Sequence, residues 1–564
     1  MTHWLDRMLS PKSVAIVGAS ERDGNLAGAT IRQLQDTGYG GKLLLINPNY
    51  EALFDLPCYP TLSSLPENPD LVVFAISGLA LEQSFNEALS IGVGGIVMYA
   101  SNVVEEDTNP PLTQRLRDRA ARAGIPVCGG NSMGFYNYDH NVMISFDRPP
   151  ASRPSGHIGL IAHSGSAMTY LANNDARFCY NYVISSGQET HADVADYMDY
   201  LLDQLSTRVV ALFIETIRDA PGFVASLEKA QNKNIPVVVT KLGRTDKSAA
   251  LALSHSGAIV GNHDAFASVC RRYGAIICND IDELIITAML FAMGYRTDSG
   301  GVAGLLDSGG MREQMIDLAE DYGVRFAEVS EQTLKTMQSH LEYGLHADNP
   351  LDGMGSLGRN TEQTYLECGK ALLDDANTGL LTYEFEFRDD FTHYPVMFDV
   401  IDQLNRYSEK PLIVINSCAY TALSDTAARL SRQGIAMING IDVALRSIRN
   451  LYQYKGIKRY TKSEPADQLN PGTVGKWKTI LTSTDQLDEM TSLELAADFG
   501  LPVIPHASAH DLSSVITSAN QIGYPVALKT AANGILHKSD AGGVKLSIHN
   551  DSELAQEYDE LQQR

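Results

Sequence analysis

The stretch "LALSHSGAIVG", Leu251–Gly261, places one imidazole, His255, between two serines at the start of a helical pattern. By itself such a histidine is a turn residue. Joined by an orienting acid it becomes a nucleophile at the positive end of a helix, where N–H donors and the helix dipole stabilise a phosphoryl group. Glu215 is the candidate acid. It ends the apolar run "VVALFIE", at the kind of strand C-terminus where open α/β sheets place their sites. Its carboxylate can accept one ring N–H of a histidine and leave the other nitrogen free to react. "HSGSAM", His163–Met168, is a second helix start of small residues, so Ser164, Gly165 and Ser166 can bring backbone amides to a phosphate, as Ser256 and Gly257 can beside His255. The loop before His255 carries Lys241, Arg244 and Lys247 among small residues, the composition of a mobile arm that suits a phosphorylated imidazole.

Two other stretches suit phosphate-bearing ligands. "VGAS", Val17–Ser20, follows a strand and opens a glycine-bearing turn. The next strand ends "INPN", Ile46–Asn49, without the carboxylate that a dinucleotide's ribose would require, so NAD is disfavoured and another anionic ligand is expected at the first helix start. In "YPVALKTAANGILHKSDAGGV", Lys529 ends an apolar strand ahead of a glycine-rich turn. A compact ammonium next to backbone donors fits nucleotide phosphates.

Stepwise patterns in the chain must hold these groups. "SVAIVGAS", "IGLIAHSGSAM" and "VAGLLDSGGM" each run from an apolar strand through small residues into a helical pattern, the opening of a β–α unit in a parallel sheet. Their spacing of about 150 residues predicts one α/β domain each. The expected segments are 1–139, 140–296 and 297–451, a polar, turn-rich linker over 452–476, and an α+β segment over 477–564. The 68 acidic residues against 44 basic ones give a net charge of −24 and no basic stripe, which excludes a nucleic-acid binder but not a phosphate held by backbone amides. Seven scattered cysteines with no C-x-x-C fit reduced thiols in a cytoplasmic protein. No apolar run approaches a membrane span, and "MTHWLDRML" lacks a signal-peptide core.

In this order the motifs resemble the NDP-forming acyl-CoA synthetases, relatives of succinyl-CoA synthetase and the ADP-forming acetate–CoA ligases. "SHSGAIVG" is similar to the family's S-H-T-G-x-x-x-G, which makes His255 the implied phosphohistidine. "FIETI" matches the acid that contacts it, Glu215. "HSGS" resembles Q-S-G-A, with His163 in the glutamine position. "VGAS" and "INPN" match CoA-binding positions, implying Gly18, Ala19, Ser20, Asn47 and Pro48. "GGNSMG" resembles G-P-N-C-x-G with Gly130 and Ser132 substituted, and "SSGQETHAD" resembles S-x-G-N-x-A-D with Gln188 for asparagine. "ILHKSDAGGV" is close to the ATP-grasp motif, implying Lys529, His537, Lys538, Ser539 and Asp540 for ATP, with His537 a candidate second relay histidine. "DSGGMRE", Asp307–Glu313, departs from the N-A-G-G-P-G of acetate-type members and points to another carboxylic acid.

The resemblance implies a Rossmann-like CoA-binding domain, two flavodoxin-like succinyl-CoA-synthetase-type domains, and the first part of an ATP-grasp domain. It implies ligation of a carboxylic acid to CoA with ATP cleaved to ADP and phosphate, through acyl phosphate and phosphohistidine. Mg2+ would be held by acids expected past Arg564, and a homo-oligomer or a partner chain supplying the rest of ATP-grasp is expected. The rival readings are the ligase-like body of a protein lysine acetyltransferase and a non-catalytic CoA or nucleotide regulator.

Overall fold

In the computed structural model, the described residues are all except 1–2, 78, 105–106, 148–153, 174, 246, 249–261, 298, 356–359, 390–394, 421–423, 457–469, 485–486, 532–537, 539–541 and 564. The chain divides into two compact units, Met1–Tyr460 and Thr461–Arg564.

The first unit contains three sheets. In the first, β1 (Ser13–Val17), β2 (Lys42–Ile46), β3 (Ala52–Leu53), β4 (Leu56–Tyr59), β5 (Leu71–Phe74), β6 (Gly95–Met98) and β7 (Val127–Gly129) lie in the order β3-β4-β2-β1-β5-β6-β7. All pairings are parallel except the β3–β4 hairpin. Strands such as "SVAIV" and "LVVF" are buried along their whole length, as expected where helices cover both faces of a parallel sheet.

The second sheet comprises β8 (Gly134–Asn137), β9 (Val142–Ile144), β10 (Ile158–Ala162), β11 (Tyr180–Ser185), β12 (Val209–Ile214), β13 (Val237–Lys241) and β14 (Ile276–Ile277), ordered β14-β13-β12-β10-β11-β8-β9. Its antiparallel edge, β8 on β11 and β9 on β8, is recruited from sequence before and just after Asp139. The chain therefore enters the second sheet earlier than the sequence boundary at Asp139, because "GFYN" finds its partner in β11 rather than in β7. The third sheet is entirely parallel: β15 (Gly301–Leu306), β16 (Leu351–Asp352), β17 (Thr378–Glu384), β18 (Leu412–Asn416) and β19 (Ala436–Asn439), ordered β16-β15-β17-β18-β19.

In each of these three sheets one central strand has neighbours reached by leaving in opposite directions: β1 between β2 and β5, β10 between β11 and β12, β15 between β16 and β17. Such a reversal opens a crevice at the strand's C-terminal end. The segments that follow are those opening at Gly18, His163 and Asp307.

The three layers are fused through shared cores. One cluster joins Val14, Ile16 and Leu45 of the first sheet to Ile161, Ile184 and Leu212 of the second. Another joins Leu160 and Val238 of the second to Leu306, Ile413 and Ile438 of the third, bridged by the helices Ile281–Ala292 and Ile441–Gly456. Between these two helices Glu283 is fully buried. It accepts hydrogen bonds from Arg449 Nη2 at 2.6 Å, Arg446 Nη1 at 3.1 Å and Asn450 Nδ2 at 2.9 Å, and from Asn279 N and Nδ2 at 3.0 Å each. The helix Ile441–Gly456 runs past Leu451, where sequence patterning ends the third domain; the buried Asn450 and Leu451 and the half-buried Arg446 and Arg449 lie along it.

In the second unit, the helix Pro471–Ser483 starts inside the segment read as linker, capped by Asn470 and led by a proline at its first turn. Trp477 is buried and its Nε1 donates to Asp498 at 2.8 Å, on the helix Glu489–Asp498. β20 (Val526–Lys529) and β21 (Val544–Ile548) pair antiparallel. Val515 and Ala519 of the helix Leu512–Ile522 pack with Ile548 of β21 and Leu554 of the helix Asp551–Gln562 in a small core.

Replacing Glu283 by alanine strips a buried carboxylate from two guanidinium groups. The expected loss is about 3 kcal/mol, read as a lower urea midpoint for the part of the transition that reports on residues 1–460.

Candidate active site

At the β1 crevice, Gly18 takes φ +91° and a Cβ there would come within 2.9 Å of Ile76 Cγ2, so the position admits only glycine. Its N–H and that of Ala19 donate to the Ile46 carbonyl, at 3.0 and 3.3 Å, tying the turn to β2. From the other side, Asn47 Nδ2 donates to Ala19 O at 2.8 Å while its Oδ1 accepts the Asn49 N–H at 3.0 Å. Gly28, in the first turn of the helix Leu26–Asp36, allows Ser20 O to sit where a Cβ would be 2.2 Å away. Gly18, Ala19, Ser20 and Asn47 thus share one rim, with Ser20 buried and Pro48 exposed beside it. This rim of backbone and small side chains suits a phosphate-bearing ligand such as CoA.

At the β10 crevice, Ser164 caps the helix Gly165–Ala172, accepting from Ala167 N at 3.3 Å. A Cβ on Gly165 would fall 2.5 Å from Met133 Cγ, so the small residue keeps the helix start against the β7–β8 connection. His163 holds this start in place. Its Nδ1 accepts the Glu215 backbone N–H at 3.0 Å, and its Nε2 meets Glu189 Oε1 at 2.9 Å. Since Nδ1 is an acceptor, the proton sits on Nε2 and is donated to Glu189. Glu189 is nearly fully buried, also accepts the Val194 N–H at 3.0 Å, and faces Arg218 Nε at 3.2 Å from its second oxygen.

Glu189 and Arg218 belong to no motif that marks them in the sequence. Gln188, within "SSGQETHAD", serves as a clasp. Gln188 Oε1 accepts the Asn102 N–H at 3.0 Å, Nε2 donates to Ser101 Oγ at 3.2 Å, and Gln188 N donates to Gly130 O at 2.8 Å. Asn102 Nδ2 reaches Thr190 Oγ1 at 2.7 Å, and Ser132 Oγ donates to Ser185 O at 2.6 Å. The departures "GGNSMG" and "SSGQET" are therefore matched to each other across the first two sheets. No sequence signal marks Glu189, because the left-handed φ of +49° that it adopts is not one a glutamate announces.

His255, Ser256 and Gly257 lie outside the described residues, and the expected Glu215–His255 contact lies outside them too; Glu215 follows β12, joined to His163 through its backbone. His537, Ser539 and Asp540 lie outside them as well. Lys529 and Lys538 are described and converge on one carboxylate, Glu489, at 2.5 and 2.9 Å, and these two ammonium groups hold it below the usual carboxylate range. Two lysines gathered at one point fit a nucleotide's phosphates in charge. Among the described residues, no group of three or more His, Cys, Asp or Glu is placed to hold a metal ion, and no helix is long and apolar enough to cross a membrane.

Three family models match the chain: a CoA binding domain over residues 12–138, a succinyl-CoA ligase like flavodoxin domain over 155–291, and an ATP-grasp domain over 479–564. A trans-feruloyl-CoA synthase from an unknown prokaryotic organism is 26% identical over 560 residues, covering 98% of this chain and 78% of the relative. The ADP-forming acetate–CoA ligase I of Archaeoglobus fulgidus is 25% identical over 564 residues, covering 98% of this chain and 79% of the relative. Among solved structures, the Ca. Korarchaeum cryptofilum dinucleotide forming acetyl-coenzyme A synthetase 1, in complex with phosphate and ADP, superposes with a TM-score of 0.71 at 22% identity, covering 80% of this chain and 97% of that one, a likeness of fold.

Asp193 caps the helix Val194–Asp203, and burial next to Glu189 and Asp196 pushes its carboxyl up to about 7. The folded chain then keeps a proton there that the unfolded chain releases above about pH 4. This contribution to stability is full in acid and is lost as pH rises to about 7. Asp193→Asn keeps a capping oxygen and cannot ionise. Its Tm, measured by calorimetry, should exceed that of the parent at pH 8 by clearly more than at pH 5.5.

Proposed function

We infer, from a chain that belongs to the NDP-forming acyl-CoA synthetase superfamily, that this protein is an acid–CoA ligase. It would join a carboxylic acid to CoA as ATP is cleaved to ADP and phosphate. The supporting observation is His163, whose Nδ1 accepts the Glu215 backbone N–H and whose Nε2 donates to Glu189, just before the Gly165 helix start at the C-terminal edge of the second sheet.

In this reading ATP phosphorylates His255 and ADP leaves, the carboxylate takes the phosphoryl group from His255 to give an acyl phosphate, and the CoA thiolate attacks the acyl carbon, breaking the C–O bond and releasing inorganic phosphate as the thioester forms. The phosphoryl group rests on His255 between the acid and the nucleotide. A covalent relay divides one difficult transfer into two. Phosphoryl transfer asks mainly for positioning and neutral surroundings for the equatorial oxygens. Ser164, Gly165 and Ser166 would meet those oxygens with helix-start N–H groups, as would Ser256 and Gly257. Glu215 would accept a ring N–H of His255 and set its tautomer. Gly18, Ala19, Ser20, Asn47 and Pro48 would hold CoA. Lys529, His537, Lys538, Ser539 and Asp540 would take ATP, which enters as its Mg2+ complex. The relatives act on acids as different as ferulate and acetate, by their names, so the family leaves the acid open. A homo-oligomer or a partner chain and a cytoplasmic location complete the reading.

His255→Ala should lower CoA-thioester formation by about 10³-fold or more, while CoA titrated calorimetrically binds as before. Glu215→Gln should cost about 10–100-fold. Turnover by His255→Ala equal to that of the parent would remove the relay from the mechanism.

A further inference from the structure

His163 does more at the second crevice than precede a helix. Its side chain is 7% exposed and both ring nitrogens are used. Nδ1 accepts the Glu215 backbone N–H at 3.0 Å, and Nε2 donates to Glu189 Oε1 at 2.9 Å. The first contact holds the peptide that carries the Glu215 carboxylate. It exists only while Nδ1 has no proton, because an imidazolium has two donors and no acceptor. Glu189 pulls in two directions. By accepting from Nε2 it selects the tautomer that leaves Nδ1 free, yet a carboxylate against an imidazole also favours the imidazolium. A further charge has to decide between the two.

Arg218 supplies that charge. Its Nε stands 3.2 Å from Glu189 Oε2, the oxygen that His163 does not use. The contact is an ion pair, since this oxygen is buried and has no hydrogen-bond partner among the described residues. The Glu189 side chain is 1% exposed, so solvent ions screen the pair little. Glu189 lies in the connection after β11, and Arg218 in the connection after β12 that also carries Glu215. The other ionisable groups around Glu189 are committed elsewhere. Arg117, in the helix Leu112–Ala123, donates its Nε to Thr190 O at 3.1 Å. Cys128 and Tyr197 are pushed up by burial and stay neutral. Asp193, raised to about 7, adds negative charge only above that pH.

We propose that Arg218 is a positioning residue for the ligation: through Glu189 it keeps His163 neutral, with the proton on Nε2, and so keeps the Glu215 backbone anchored. Uptake of one proton at Nδ1 breaks the anchor, and its loss restores it. A glutamine at position 163 would offer one acceptor and one donor and would not titrate. The histidine makes the anchor acid-labile, and Arg218 sets the pH at which it fails. That Glu215 then acts on His255 rests on the ligase reading above; the state of the His163 ring does not.

Two measurements on the full chain test this. With 15N-labelled histidine, two-bond 1H–15N correlations read the tautomer of each ring, and His163→Gln identifies the His163 signals by their loss. The parent ring should be in the neutral Nε2–H form at about pH 8, and Arg218→Gln should take up the second proton at a pH about one unit higher than the parent does. Arg218 is partly in solvent, its side chain 30% exposed, so the replacement leaves the core intact. The second measurement follows thioester formation from CoA, ATP and a panel of carboxylic acids that includes acetate and ferulate. Arg218→Gln should move the acid limb of kcat/KM to higher pH by about one unit. In the His163→Gln background the same substitution should leave that limb in place. Lost packing alone would lower Tm or activity at every pH, without this dependence on residue 163. An Nδ1–H tautomer, a parent ring already doubly protonated at about pH 8, or the same ring titration with and without Arg218 would overturn the proposal. So would an acid limb that Arg218→Gln leaves unmoved or moves equally in both backgrounds. The expected ring states with no thioester from any acid would uphold the control of His163 and count against the ligase reading alone.

Discussion

A reversal of strand order governs the chemistry of this chain. Crossovers leaving β1, β10 and β15 toward opposite neighbours put their helices on opposite faces of the sheet, and a crevice remains above each of these strands. Whatever lines such a crevice must fit between a strand end and a helix start. That is why Gly28 packs against Ser20 O and Gly165 against Met133, with no space for a Cβ. Side chains that do enter, His163 above all, have both polar ends taken up on arrival.

The crevices differ in how their charge is balanced. In the second, Glu189 is buried but shared among His163, Val194 N–H and Arg218. Asp193, close by, bears the electrostatic cost of that concentration of carboxylates. The buried Glu283 is likewise surrounded by two arginines and two asparagines, and it serves packing between helices. In the third, Glu384 Oε1 accepts the Ser417 hydroxyl, while its buried Oε2 has no hydrogen-bond partner among the described residues.

Fusion of the three layers gives these groups a common frame. Shared apolar cores join the first sheet to the second and the second to the third. Gln188 and Asn102 add a polar clasp between the loop after β6 and the loop after β11. The clasp ties the rim of the first crevice's sheet to the peptide that carries Glu189, so substitutions in "GGNSMG" and "SSGQET" are coupled: Thr190 Oγ1 serves both Gly130 N and Asn102.

Sequence alone determined the strand ends and helix starts. An apolar run followed by small residues is a short-range pattern, and its meaning does not depend on distant partners. It located Gly18, Ser164 and Lys529 at strand ends, and the order of the motifs indicated the family. Tertiary structure decided who faces whom. Glu189 is 26 residues from His163, and Glu283 is 163 from Arg446. Those pairings follow from which sheet edges and helix faces come together, as does the recruitment of Gly134–Asn137 by β11. Periodicity cannot show whether a carboxylate meets a guanidinium or remains unpaired. That Glu384, last residue of an unremarkable apolar strand, is buried and meets the Ser417 hydroxyl emerges only when β17 and β18 lie side by side.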